Sequence, residues 1–305
     1  MIIGFIVGVI AGAIQASTSV LYAALGEVMV ERAGVINLGV EGTLLMGAST
    51  GFIVTSQTGN PLLGVLAAAV AGGLFNLILA YLVVTRRANQ LASGLALGFF
   101  GIGLSALLGK PYVGRMIDGL ADLPVPVLSG VPVLGPALFS HDLLVYLVLP
   151  LAVFIWWALF RTRWGLAVRA VGESKTVAYA AGKRPDWLQY QVVFLGGMMA
   201  GLGGAHLSLA YTGVWAESMT AGRGFIAVAL VIFAAWNPLR AVWGALLFGG
   251  ALALQLQLQA RGAPISPFIL DMLPYLLTLG VLLLVRGSRR YAMPEGLKTV
   301  FESSG

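Results

Sequence analysis

Apolar positions in this chain come in long unbroken runs, without the alternation that marks a half-buried strand or a surface helix. The run LLGVLAAAVAGGLFNLILAYLVV at 62–84 holds 23 residues and no charge. A helix needs roughly 20 apolar residues to cross a hydrocarbon core, and an open sheet edge does not survive in lipid. Runs of this kind predict helices at 2–25, 35–56, 62–84, 91–109, 143–160, 188–212, 224–236, 241–259 and 267–285. The expected fold is therefore all-α, a polytopic transmembrane helical bundle forming a single domain over 1–305. One of the nine segments, 224–236, has only 13 residues and reads as a half-helix or re-entrant piece.

Basic residues orient these segments. TRRANQ at 85–90, RTRWG at 161–165 and RGSRR at 286–290 fall on one side when nine segments are threaded, which places 14 of the 18 Lys and Arg there. Such an excess marks the cytoplasmic side, so the N-terminus is expected outside and the C-terminus inside. The Pro-rich stretch 110–142 then lies outside and suits a rigid extended cap. The stretch 161–187 lies in the cytoplasm. Within it Ser174 is an expected N-cap, KTVAYAA a short helix and Gly182 its stop, with Pro185 preventing continuation. This segment is either a handle for a partner protein or a solvated basic loop that sets topology.

Composition agrees. Only 10% of residues are charged and mean hydropathy is +0.92, where a soluble domain carries about 25% charge. The 41 glycines suit close helix approach in lipid. The net charge of +6 follows from the basic loops, so no nucleic acid is expected as a partner. The first apolar run has no Lys or Arg before it and reads as a retained span rather than a signal peptide. The absence of Cys excludes disulfides, thiol catalysis and Cys-ligated metal. Two histidines, His141 and His206, make no metal site. GIGLSALLGKP at 101–111 lacks the spacing of a nucleotide loop, and no G-x-S-x-G is present. Neither a catalytic residue nor a metal nor a cofactor is assigned to this chain. A pump that used ATP would need its ATPase on another subunit.

The string GEVMVERAGVINLGVEGTLLMGA at 26–48 interrupts two apolar runs with four charges. Gly34, Gly39 and Gly42 each weaken a helix interior by about 1 kcal/mol relative to Ala. With Asn37 they favour a bent entry into the second span. Glu27, Glu31 and Arg32 are expected at the cytoplasmic face, with Glu41 deeper. An intramembrane acid must be paired or face water, so Glu41 either serves packing or belongs to a solute path. Asn76, His206, Gln255 and Gln259 pose the same choice, the last two sharing one helix face at i, i+4.

Five blocks taken together carry a resemblance: the string at 26–48, RAVGESKTVAYAAG at 169–182, AGLGGAHLSLAYTGVW at 200–215, MTAGRGFIAVALVIFAAW at 219–236 and MLPYLLTLGVLLL at 272–284. In this order they resemble permease subunits of ABC importers of the branched-chain amino acid, simple sugar and nucleoside group. GVEG and MTAGRGF are most similar to permeases that import nucleosides with a receptor of the basic membrane protein type. The tail YAMPEGLKTVFESSG departs from the short basic end of that group.

The resemblance implies a multi-pass subunit in the bacterial inner membrane, among lipids, with a second permease chain beside it. It further implies a cytoplasmic ABC ATPase that binds ATP and Mg, and an extracytoplasmic substrate-binding lipoprotein. It makes 169–182 the segment that couples to the ATPase, through Arg169, Glu173, Ser174 and Lys175 and the small residues Ala178, Ala181 and Gly182. Asn37, Glu41, Asn76, His206, Gln255 and Gln259 become candidates for the substrate pathway. Phe99, Phe100, Trp215, Phe225 and Trp236 either stack on a base or sugar or anchor span ends at the interface; Trp156, Trp157 and Trp164 beside RTR suit anchors. The alternative is an ion-coupled secondary transporter, which keeps coupling acids at the midplane. Asp271 and Glu217 sit at expected outer ends, which leaves Glu41 alone for that role. A membrane scaffold or receptor would not need so many glycines and buried amides.

Overall fold

The computed structural model describes residues 2–262, 266, 268–270, 272–273, 276–277, 279–280 and 293–302. The long helices are α1 (Ile2–Arg32), α2 (Val40–Thr58), α3 (Pro61–Ala80), α4 (Gln90–Gly109), α6 (Leu143–Arg161), α9 (Pro185–Ala205) and α11 (Pro238–Ala260). Shorter ones are α5 (Leu134–Leu138), α7 (Arg163–Glu173), α8 (Lys175–Ala180), α10 (Arg223–Phe233) and α12 (Glu295–Glu302). Leu123–Pro124 (β1) and Ser140–His141 (β2) form a small antiparallel pair.

Side-chain caps set several starts. Asn60 accepts hydrogen bonds from the Leu62 and Leu63 N–H groups with Pro61 in the first turn, and Asn237 with Pro238 repeats this for α11. Asp142 caps α6 and Asn89 caps α4. Two helices end in π-helical turns, Tyr81–Thr85 after α3 and His206–Tyr211 after α9; such turns often accompany function.

Among the described residues, six helices are long and apolar enough to cross a membrane: α1, α3, α4, α6, α9 and α11. The helix α2, at 19 residues, is less apolar and mostly enclosed by its neighbours. The helix α10, with 11 residues, is too short to span. A polytopic helical bundle is thus established, but a count of nine spans is not. The expected segment 267–285 falls largely outside the described residues, as do Asp271 and RGSRR at 286–290.

Close helix contact runs through glycine. A Cβ built at Gly201 would strike the Ala68 carbonyl of α3, and one at Gly101 would lie 2.6 Å from the Gly42 Cα of α2. In lipid, where apolar burial gives little drive, this backbone proximity supplies the packing that holds α2, α3, α4 and α9 together.

Three expectations change. The first helix does not stop near 25 but continues to Arg32, because its charged last turn is enclosed in protein. The stretch 110–142 is not simply extended: it contains a 3-10 turn at Lys110–Tyr112, the β1–β2 pair and α5. The stretch 161–187 gains α7, an amphipathic helix packed on α6 and capped by Thr162.

Candidate functional site

The string 26–48 divides into the last turns of α1, an irregular crossing at 33–39 and the start of α2. The crossing has no helical ladder, so its backbone polar groups need other partners. Glu27 accepts from the Asn37 N–H at 2.9 Å, and Gln90 Oε1 accepts from the Ile36 N–H at 2.8 Å. Gln189 Nε2 donates to the Ala33 carbonyl at 2.8 Å, and Asn37 Oδ1 accepts from the Gly39 N–H at 2.8 Å. Four side chains thus replace a missing helix turn.

Glu27 and Glu31 are not at a surface where charge is cheap. They are 2% and 3% exposed, and the partners that draw them inward are the crossing and the turn after α10. That half-helix is held at both ends by residues of the string. At its start the Glu41 carboxylate accepts from the Thr220 hydroxyl at 2.6 Å and the Gly222 N–H at 2.8 Å. Its second oxygen accepts from the Gly224 N–H at 2.6 Å. At the far end Arg32 Nε donates to the Trp236 carbonyl at 3.0 Å, and the Trp236 indole N–H donates to Glu31 at 2.5 Å.

The signs match the helix. The first N–H groups of a helix and its last carbonyls lack internal partners and carry partial charges of opposite sign. The Glu41 carboxylate complements the amide end, and past the carbonyl end the Arg32 guanidinium takes backbone carbonyls while Glu31 takes the Trp236 indole. Gly222 has φ +83° and a Cβ at Gly224 would run into the Glu41 backbone, so both positions need glycine. Ser218, Ala221, Ala235 and Trp236 also have positive φ without being glycine. Backbone strain of this kind persists only where its surroundings impose it, and it clusters at functional sites.

Of the candidate path residues, three gather around the start of α2. Asn37 Oδ1 accepts from the Gly39 N–H, the Gly39 carbonyl accepts from the Thr43 N–H at 3.0 Å, and the Thr43 hydroxyl donates to Asn76 at 2.7 Å. Glu41 sits in the same turn. His206 lies elsewhere, with its Nε2 3.6 Å from Asp142, both side chains almost fully buried. Gln255 and Gln259 lie toward the end of α11. A cavity of about 640 Å³ lies between α1, α6 and α11 with apolar walls that include Val9, Val145, Tyr146 and Val242; none of the six lines it. Trp215 and Trp236 are 1% and 4% exposed, so they are enclosed in the protein rather than anchored at an interface.

The Ser174 hydroxyl accepts from the Val177 N–H at 3.3 Å, and Gly182 has φ +74°, so α8 carries both its cap and its stop. Ala178 is 1% exposed while Val177 and Tyr179 are 66% and 72% exposed. The outward face of α8 is therefore Val177 and Tyr179, and Ala178 packs inward. Desolvation lowers the Lys175 pKa; Asp186, 4.0 Å away, opposes this and Arg87 adds to it. Glu173 accepts from the Glu295 N–H at 3.2 Å, so α12 starts against the end of α7.

Long-range polar partners are what sequence reasoning missed: Gln90, Gln189, Thr43, Thr220 and Asp142. Buried amides and acids were visible as types, but nothing local in the sequence named their partners.

A bundle of apolar helices with one short helix clamped inside it defines a polytopic membrane protein. Residues 8–285 match the family described as branched-chain amino acid transport system / permease component, and the chain belongs to that family. It is 39% identical to "Putative glucose ABC transporter permease protein TsgC13" of Haloferax volcanii, over 96% of this chain and 97% of that one. It is 31% identical to the nucleoside ABC transporter permease protein NupC of Lactococcus lactis, over 96% of each. Identity to the guanosine ABC transporter permease protein NupQ of Bacillus subtilis is 34%, over 84% of this chain and 85% of that one. The chain is an ABC transporter permease subunit, a membrane transport component rather than an enzyme.

Proposed function

We propose that this subunit imports nucleosides or related small uncharged solutes such as sugars, as part of a bacterial inner-membrane assembly. In this reading the whole chain is one transmembrane domain. A cytoplasmic ABC ATPase binds ATP and Mg, a second permease chain completes the path, and an extracytoplasmic lipoprotein delivers the solute. The observation that carries it is similarity, over 84% or more of each chain, to permeases named for nucleosides, guanosine and glucose. The face of α8 bearing Val177 and Tyr179 takes the ATPase, with Arg169, Glu173, Ser174, Lys175, Ala178, Ala181 and Gly182 shaping and seating it. Small capped helices with exposed apolar side chains suit a groove on a partner.

The solute path runs past the loop 212–222 and α10, with α10 crossing the inner half of the membrane. Asn37, Glu41 and Asn76 hold the path's wall in place, and His206, Gln255 and Gln259 lie along its outer half. The test is uptake into proteoliposomes holding the permease pair, its ATPase and its binding protein. Import of tritiated guanosine or labelled glucose is expected only with ATP inside. Uptake by the permease chains alone, driven by a sodium or proton gradient, would favour the secondary transporter instead.

A further inference from the structure

We propose that Glu41 is the resident anion of the half-helix α10, a positioning residue that fills the place where a broken helix would otherwise take an anionic solute. Discontinuous helices in transporters commonly turn their N-terminal ends toward acidic groups of their cargo, because free N–H groups and the helix dipole converge there. Here that end is already occupied. The Glu41 carboxylate takes the Thr220 hydroxyl and the Gly222 and Gly224 N–H groups, all between 2.6 and 2.8 Å.

The occupancy is built rather than incidental. Glu41 is 5% exposed and Thr220 is fully buried. Gly224 lets the two backbones touch, and Gly222 takes the left-handed turn that aims its N–H at the carboxylate. Arg223, the first residue of α10, donates to the Met219 and Thr220 carbonyls at 3.1 and 3.2 Å. Its guanidinium thereby braces the loop before α10, while Glu41 braces the first turn. Residues 216–218 stay exposed beside this braced turn. A loop fixed in this way presents Ala216, the Glu217 carboxylate and Ser218 to a solute, with the anion site at the start of α10 already satisfied. Uncharged solutes pass; an acidic one meets a carboxylate.

This rests on the importer reading, and the test separates the two. Glu41→Ala removes the carboxylate and leaves its donors facing a space that formate fits. Guanosine uptake by the complete complex is measured with added formate and, separately, with formamide, which has the same size but no charge. Expected are a fall in uptake of about tenfold for the variant and recovery of several-fold with formate alone, the wild type being indifferent to both. Equal effects of formate and formamide, or no recovery in an assembled Glu41→Ala complex, overturn the proposal. If that variant fails to assemble, Glu41→Gln decides, since its amide N–H groups face the Gly224 donor. An assembled Glu41→Gln complex with lowered Vmax and nearly unchanged KM supports positioning. Wild-type uptake in Glu41→Gln, or failure of both variants to assemble, overturns it. A wild-type complex that imports no nucleoside or sugar with ATP sinks the importer reading itself.

Discussion

Replacing Trp236 by Phe keeps an aromatic ring in the enclosed site after α10 but deletes one donor. That donor is the indole N–H, 2.5 Å from Glu31, and both residues are nearly fully buried. The backbone carbonyl of residue 236 stays in place, so the Arg32 contact at 3.0 Å survives. What is lost is one hydrogen bond, and what is left is a buried carboxylate oxygen without its partner. Leaving such a group unmatched costs about 1–3 kcal/mol. The effect belongs to the pair, so a double-mutant cycle with Glu31→Leu, which leaves no acceptor, isolates it. A coupling of about 1 kcal/mol or more is expected, roughly a fivefold change in the unfolding equilibrium. The assay is reversible unfolding in mixed detergent micelles, read by tryptophan fluorescence at residues other than 236. Additive single effects, with coupling near zero, would show that the indole and the carboxylate do not hold the end of α10 together.

Single cysteines at Asp122 and Lys175 in this Cys-free chain should label from opposite faces of the membrane; labelling from one face would overturn the orientation. Tyr179→Arg changes an outward side chain of α8 and should abolish solute-stimulated ATPase activity while the permease pair still assembles. Normal stimulation in that variant would move the ATPase contact elsewhere. Ala178→Trp is expected to destabilise the permease itself, by about 1–3 kcal/mol or more, because Ala178 packs inward.

The apolar runs made most of the helices legible, because crossing lipid imposes a length that composition reveals directly. The α8 cap was legible for a related reason: Ser174 and Gly182 act on their own neighbours. The half-helix showed as a run too short to span. The clamp was not legible. Thr220 lies 179 positions from Glu41 and Trp236 lies 205 from Glu31, and no periodicity encodes such pairing. Glu27 and Glu31 looked like surface charges because they end an apolar helix, yet the crossing that follows folds over them. The partners of Glu41 were equally hidden, since its carboxylate is engaged with the distant turn that starts α10.

Amide hydrogen exchange at Gly222 and Gly224, followed in lipid nanodiscs, tests the clamp most directly. Both N–H groups point at Glu41, and neither has a preceding helix turn to bond. Slow exchange is predicted in the wild type, rising about tenfold or more in Glu41→Leu, while amides in the middle of α11 keep their rates. Fast exchange at both glycines in the wild type, or rates unchanged by Glu41→Leu, would contradict a half-helix held by this carboxylate.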